Sequence, residues 1–573
     1  MKTEKKNSAE RLEFFRALYE NAKNAYADKL LLFEKYMRQY QGSEEIDGGK
    51  ETATTVRNIT YELVESQVSS EIPQPKADPS SYSEERDRCA HAIENLCRSL
   101  RDKLPFEEMN DLDERYTYIY GGSVWFVEWD SGADYGDIKG GVRIHCISPR
   151  DFIPQPGVYS VDDMEYCFLK FTTTRGELTR RYGVKEEDTY LAECDFENEG
   201  FDTGDTVSVI LTFFKDEYGN IGEYVFSGEL ALLDIESYYK RKVKLCKACG
   251  EREAVCTCEK KNFKMLDLDY EDVNEKNGEG IIKGVPYYVP KSFPFVIRKN
   301  TSVEKNLFGQ SDCEYIRPEQ QAINKIESRI LQKLLRAGIT PIVPEDASIT
   351  LNNSVFGQLI KMKPGESAAQ YGKVDTTPDI SQDIAEAERL YDHSKRIIGV
   401  SDAYQGIDSA SNESGVARQL RISQASGRLE SKRKMKHTAY AHLDRKIFEH
   451  YLAFADEPRM LCYKDAFGRI QNSSFNRYDF LVFDTSSGSF RYDDSYLFSV
   501  DLNGGADYQR EALWQKNLEN LKAGTLGDPS AIPTLLRYWQ CQERAHYPHA
   551  RDNVEYFTEL LGKGGDGIVN TEE

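Results

Sequence analysis

Apolar residues recur at helical spacing through the second half of the chain. Between Glu314 and Ala337, Ile323, Ile326, Ile330 and Leu334 form one stripe, while Gln321, Asn324, Glu327 and Arg329 carry the other faces. That is the period of an amphipathic helix. Pro318 lies toward its start, where a missing N–H costs least, and Gly338 follows as a C-cap. A second stripe, Ile380, Ile384, Ala387 and Leu390, begins behind Pro378 and Asp379 and runs to Ile398, closed by Gly399. Between the two, "TPIVP", "SITLNN" and "GQLIKMKPG" are short strand-like runs broken by turn residues. The polar, glycine-dotted "SDAYQGIDSASNESG" then reads as an exposed loop. A third, long helix starts at Ser414 and continues from Val416 to Phe454. This order fits a projecting helical pair with a small compact tip. Periodicity alone favours a coiled-coil hairpin or two adjacent bundle helices.

The first half mixes both periods. Residues 9 to 40 form a helix with Leu12, Phe15, Leu18 and Tyr19 on its apolar stripe, and a helix near Thr55 to Ser69 precedes Pro73, Pro75 and Pro79. Another helix, Ser83 to Leu104, carries Ala90, Ile93, Cys97 and Leu100 on one face. From Arg115 to Ser227 the period changes to two: "YTYIYGGSVWFVEWD", "GGVRIHCISP", "YCFLKFTT", "VSVILTFF" and "EYVFSG" read as strands, with a short helix over Arg175–Tyr182. Trp125 and Trp129 are most simply core or sheet-face residues. Strands return around Tyr478–Phe483 and Tyr496–Val500, followed by helices over Asp507–Ala523 and Pro529–Cys541. The fold class is α+β.

Composition narrows the function. Of 573 residues, 96 are acidic and 74 are Lys or Arg, a net charge of −22. Such a surface repels bulk phosphate and argues against tight wrapping of nucleic acid, though not against DNA passing without sticking. The longest apolar runs are far too short to span a bilayer, and no apolar secretory segment follows "MKTEKKNSAERLEFF". The twelve cysteines therefore belong to a reducing compartment, where metal binding outranks disulfides.

Cys246 and Cys249 form a CxxC, and Cys256 and Cys258 a CxC shortly after. Four thiolates this close supply the soft tetrahedral set that Zn²⁺ accepts, and a four-cysteine site is closed and structural. The tight CxC departs from the common spacing, so incidental reduced cysteines, and after them iron–sulfur or disulfide chemistry, remain the alternatives. Other chemistry is scarce. "GGKET" lacks the first glycine and the Ser/Thr of a phosphate loop, and HExxH, GxSxG and calcium-loop patterns are missing. "LDLDYEDVNEKNGEG" reads as a solvated acidic loop. His437, His442 and His450 lie on the long helix without paired ligand spacing. That helix is locally basic, with Arg418, Arg421, Arg428, Lys432, Arg433, Lys434 and Lys436 opposed by Glu430. The stripe faces either phosphate or a neighbouring acidic subunit, the latter being slightly favoured.

Five strings taken in order carry a resemblance: "TVRNITYELVESQVSSEIPQP", "ISPRDFIPQPG", "NLFGQSDCEYIRPEQQAINKIESR", "SNESGVARQLR" and "ALWQKNLENLKAGTLGDPSAIPTLL". Over about Tyr40 to Tyr556 the chain resembles the portal, or head-to-tail connector, proteins of tailed bacteriophages. The resemblance implies a homo-oligomeric ring, usually dodecameric, around a channel for double-stranded DNA, bound without sequence preference. It implies an N-terminal helical region over 1–40 and a mixed α/β wing over 41–293 that includes the cysteine-rich insertion 240–262. It further implies a lead-in and first stem helix over 294–337, a clip over 338–378, a second stem helix over 379–400 and a tunnel loop over 401–415. The long wing helix would span 416–455, wing return strands 456–506, and the crown and tail 507–573. In the tunnel loop Asp402, Gln405, Asp408, Asn412 and Glu413 would approach the DNA. Implied partners are the capsid protein, a terminase that supplies the ATPase, and later neck or adaptor proteins, with no membrane. The implied place is the portal vertex of a virion assembled in a bacterial cytoplasm, and no enzymatic activity is implied. The cysteine cluster departs from the family pattern. An oligomeric virion scaffold without a channel is the leading alternative, and a metal-dependent nuclease or hydrolase the third.

Overall fold

A computed structural model describes residues 8–43, 54–81, 83–135, 138–193, 205–246, 263–274, 281–336, 339–342, 352–354, 357–359, 372–375, 378–400, 427–464, 470–485, 488–501, 507–544, 547 and 550–562. Helix α1 (Ser8–Gln41) carries the expected stripe, burying Phe15, Tyr19 and Ala22 in its first half and Phe33 and Tyr36 in its second. α2 (Ile59–Glu65) is shorter than the span read from sequence. Asn58 caps it by accepting from the Tyr61 N–H at 3.0 Å, and Thr55 instead donates its N–H to Ser328 Oγ. Strand β1 (Gln74–Pro79) leads to α3 (Glu84–Lys103), whose cap Ser83 accepts from the Arg86 N–H at 3.2 Å.

The next element corrects the sequence reading. The run "YTYIYGGSVWFVEWD" looks like one strand, yet its first five residues complete helix α4 (Phe106–Tyr120), and only β2 (Gly122–Tyr135) is extended. Gly121 ends the helix in the left-handed region at φ 91°. A Cβ there would lie 2.8 Å from the Gly309 carbonyl oxygen, so backbone conformation and close approach both demand glycine.

β3 (Ile138–Ile147), β4 (Phe152–Pro154), β5 (Tyr166–Thr174), α5 (Arg175–Tyr182), β6 (Thr206–Lys215), β7 (Ile221–Ser227) and β8 (Leu230–Ile235) follow. Strands β4 to β8 form one antiparallel sheet in sequence order. Its faces are filled by aromatic rings. α1 covers it through Phe15 stacked on Tyr224 at 4.5 Å and Tyr19 edge-on to Phe168 at 5.3 Å. Phe213 meets Phe126 of β2 at 5.7 Å. Two ribbons come next, β9 (Arg241–Cys246) with β10 (Phe263–Leu268) and β11 (Tyr270–Asn274) with β12 (Ile281–Pro286). β13 (Phe295–Lys299) then pairs with β2 to make the three-stranded sheet β13-β2-β3. The "LDLDYEDVNEKNGEG" stretch is thus partly strand rather than loop. Glu271 within it accepts from Tyr492 and pairs with Arg477, whose side chain is wholly buried.

Helix α6 (Asp312–Arg336) begins two residues earlier than read, which places Pro318 farther inside it. Past it come β14 (Ile339–Ile342), β15 (Asn352–Ser354), β16 (Gly357–Leu359), β17 (Gly372–Asp375) and helix α7 (Ser381–Ile398). The two helices run antiparallel. Arg329 and Lys333, late in α6, pair with Asp383, early in α7, while Glu319 and His393 at the opposite ends meet at 3.1 Å. β14 and β17 continue from them as an antiparallel ladder with Ile339 opposite Asp375, and β15 pairs with β16.

Helix α8 (Gly427–Phe454) forms the centre of the largest core. Tyr440, Leu443, Ile447, Phe448, Tyr451 and Leu452 are at most 1% exposed, each contributing on the order of 1.5–3 kcal/mol on burial. Around it fold β18 (Arg459–Lys464), β19 (Ile470–Phe475), β20 (Leu481–Asp484), β21 (Ser489–Tyr492) and β22 (Tyr496–Asp501), the last pairing back onto β1 with Gln74 opposite Asp501. Three helices end the described chain, α9 (Asp507–Lys522), α10 (Ile532–Arg544) and α11 (Ala550–Gly562), where the sequence reading expected two. Pro529 lies in the turn before α10, where Asp528 accepts from the Ser530 N–H at 3.0 Å.

Candidate functional site

Buried charge gathers where α8 meets α4, β13 and the first turn of α6. β13 sets Arg298 opposite Ser123 of β2. The Arg298 guanidinium donates to Asp113 and, at 2.8 Å, to Glu114, and all three side chains are at most 1% exposed. Asp113 also accepts from Trp125 Nε1 at 2.9 Å and from Ser123. Lys436 of α8 reaches the same Glu114 at 2.9 Å and the Glu71 carbonyl at 2.6 Å. One turn earlier, Lys432 pairs with Asp312 at 2.6 Å and with Gln67 at 2.8 Å, while Asn300 donates to the other Asp312 oxygen at 2.9 Å. Each carboxylate therefore has several donors, the condition under which buried charge is tolerated.

The electrostatics follow from that geometry. Burial pushes the Glu114 carboxyl up, but Arg298 and Lys436 outweigh it and hold the group below the usual carboxylate range. Burial pulls Lys436 below an ordinary lysine, despite the attraction of Glu114. A cavity of about 40 Å³ lies alongside, lined in part by Arg298, Arg433, Lys436 and His437. It has room for water, and the buried Arg298 Nε has no hydrogen-bond partner among the described residues. This arrangement is suited to fixing the start of α8 against three other elements, not to moving a proton on a ligand.

Among the sequence-derived candidates, Lys432 and Lys436 require correction. They do not sit on a free basic face: their side chains are 11% and 5% exposed and serve this internal network. Arg433 and Lys434 are exposed, Lys434 lying 3.9 Å from Glu430. Arg428 belongs to the first turn of α8, whereas Arg418 and Arg421 lie outside the described residues. So do the loop candidates Asp402, Gln405, Asp408, Asn412 and Glu413. Cys246 ends β9 opposite Phe263, which puts the start of the cysteine cluster at the end of a two-stranded ribbon. Cys249, Cys256 and Cys258 lie outside the described residues.

The three helix histidines do not converge. His450 is buried and pushed down to about 4 by that burial, and its Nδ1 donates to the Lys446 carbonyl at 2.8 Å. His437 is half-buried and His442 exposed at the surface, and partial desolvation lowers both. Among the described residues no three His, Cys, Asp or Glu side chains gather so as to hold a metal ion, and no described helix is long and apolar enough to cross a membrane. Sequence reasoning missed Asp113, Glu114, Arg298 and Asp312. The available signal was a charge inside an apolar strand, Arg298 in "FPFVIRKN". No protein-family model matches the chain, and no curated protein matches it.

Proposed function

We propose that this chain is the protomer of a portal-type ring that conducts double-stranded DNA through a capsid vertex, docking a terminase during packaging and neck or adaptor proteins afterwards. The observation that carries the reading is the antiparallel α6–α7 pair. It bears a β14–β17 ladder and a β15–β16 hairpin between its helices, and α8 is locked to the start of the same pair through Lys432 and Asp312. A stem, a small clip and a long wing helix would be connected in this order.

Two further features support it. Tyr315, Leu334, Leu335 and Ile384 are 41–67% exposed on the pair, apolar surface that neighbouring copies in a ring would cover. The net charge of −22 suits a conduit that must not trap phosphate. In the same reading Cys246, Cys249, Cys256 and Cys258 hold one structural Zn²⁺, closing an insertion too short to build its own core. Native mass measurement and electron microscopy of the purified protein test the ring. A closed ring of about twelve copies is expected, and a strictly monomeric protein under all assembly conditions would overturn it. Capsids carrying rings shortened between Tyr404 and Asn412 should assemble yet retain DNA poorly.

A further inference from the structure

The three-stranded and five-stranded sheets meet along a seam with charge inside it. Phe126 of β2 packs on Phe213 of β6, ring centroids 5.7 Å apart. Glu128 stands two residues along β2 from Phe126, on the same face, and Glu223 of β7 is paired directly opposite Phe213 and shares its face. Two carboxylates therefore line one seam, close enough for the Glu128 charge to act on Glu223. Glu128 has partners: Arg181 of α5 at 3.5 Å, and His145 of β3, whose Nε2 lies 3.2 Å from Glu128 Oε1. The Glu223 carboxyl has no hydrogen bond or ion pair among the described residues.

Among the described residues, the other groups around Glu223 are apolar, phenolic or already paired. β6 and β8 set Phe213 and Ile235 opposite it. Tyr182 of α5 and Tyr238 face it as neutral phenols, the Tyr238 hydroxyl accepting from the Trp129 N–H at 3.4 Å. Arg143 of β3 is held by Asp130 at 2.6 Å, and His450, behind Tyr238, is neutral above about 4. That leaves Arg181, whose attraction is outweighed by burial and by Glu128, so that Glu223 is raised to about 7. α5 covers the seam weakly. Leu178 is its one fully buried residue, and its last turn carries Arg181 and Tyr182. Its first residue is fixed elsewhere, the Arg175 N–H donating to the Asp205 carbonyl at 2.9 Å and its guanidinium to the Thr189 carbonyl.

We infer that the last turn of α5 is a proton-operated latch on this seam: with Glu223 protonated, Arg181 serves Glu128 and the turn is closed, and with Glu223 ionised, two carboxylates draw on one guanidinium and the turn opens to hydrate Glu223. The sign is fixed by the raised carboxyl. Opening grows as pH rises from the unfolded value toward about 7 and then levels off. With about 4.3 for the hydrated carboxyl, the opening constant should rise about tenfold between pH 6 and pH 8. Hydrogen exchange on the full-length protein, each amide normalised to its intrinsic rate at that pH, reads the change. Amides of 178–183 should lose about tenfold in protection over that range while those of α8 hold theirs. Glu223→Gln should keep 178–183 equally protected at both pH values. His145→Gln should preserve the tenfold change, because the imidazole contact is the rival source of a response near neutral pH. Protection in the natural protein that stays flat from pH 6 to pH 8 overturns the latch without recourse to a variant. So does a change that survives Glu223→Gln, one that His145→Gln removes, or one shared equally by β5, β6 and β7, which would be a loosening of the whole sheet.

Discussion

Replacing Arg298 by methionine keeps much of the side-chain volume and removes the charge that Asp113 and Glu114 share. Asp113 retains Ser123 and Trp125 as donors, and Glu114 retains Lys436 and the Ser69 N–H at 3.1 Å. Neither carboxylate is left bare, so the loss should fall within the roughly 3–5 kcal/mol typical of breaking one partner out of a buried pair. Hydrogen exchange on the assembled protein reads this locally, without treating so large a chain as two-state. The amides of β13 and of the described first turns of α8 should exchange faster by between about a hundredfold and a few thousandfold. The pH dependence has a definite sign. In the natural protein Glu114 sits below its unfolded value, so its contribution is present above that value and is lost as pH falls through the lower folded one. In the variant burial dominates and raises Glu114, which penalises the folded state at neutral pH and relents as the carboxyl is protonated. The gap between the two proteins should therefore narrow on acidification from pH 7 toward about 4. A gap under about 1 kcal/mol at neutral pH, or one that does not move with pH, would refute the idea that Arg298 holds this junction.

Four other perturbations follow from the same geometry. Gly121→Ala forces a left-handed alanine against the Gly309 carbonyl and should destabilise by about 2–5 kcal/mol, read as a lower thermal midpoint; an unchanged midpoint would mean the turn relaxes freely. Burial and the nearby Glu128 charge raise Glu223 to about 7, so it weakens the fold progressively as pH rises from its unfolded value to that point. Glu223→Gln should thus gain up to about 3 kcal/mol over the natural protein at pH 8 and little at pH 4, and equal melting shifts at both would exclude the mechanism. Protein prepared reduced and without chelator should contain one zinc per chain, and Cys249→Ser should lose it while rings still form; metal-free natural protein would end the zinc reading. Arg433→Gln with Lys434→Gln should change the salt dependence of ring assembly or DNA contact but leave exchange in β13 untouched, whereas Lys436→Gln should speed that exchange.

Helices with local signals were legible in the sequence. Thr174 and Gly183 bracket α5 as cap residues should, Thr174 accepting from the Glu177 N–H at 3.3 Å and Gly183 standing at φ 67°. Ser83 does the same for α3. The failure at α4 has a physical cause. Tyr116, Tyr118 and Tyr120 alternate and so imitate a strand, but four residues apart on a helix Tyr116 and Tyr120 are also neighbours, with ring centroids 5.9 Å apart. Three aromatic residues satisfy both periods, and burial of Tyr118 and Tyr120 against distant parts of the chain settles the choice. Propensity had no vote on those contacts.

The charged junction was less legible because its partners are remote. Lys432 finds Asp312 at a separation of 120 residues, and Gln67 at 365. The sequence spreads seven basic residues from Arg418 to Lys436 and suggests one face, but on a helix each step turns the side chain about 100°. Lys432 and Lys436, four apart, therefore share the side that faces α4 and α6, while Arg433 and Lys434 turn outward. The same periodicity that makes Leu443, Ile447 and Tyr451 a core stripe thus divides the basic run between an inward, structural pair and outward charges. Any contact of this basic run, where it is described, with phosphate or with a neighbouring subunit must be made by the outward set. The inward pair sets how firmly the helix that carries those charges is held, since moving it would strand Glu114 and Asp312 in the interior without their cations.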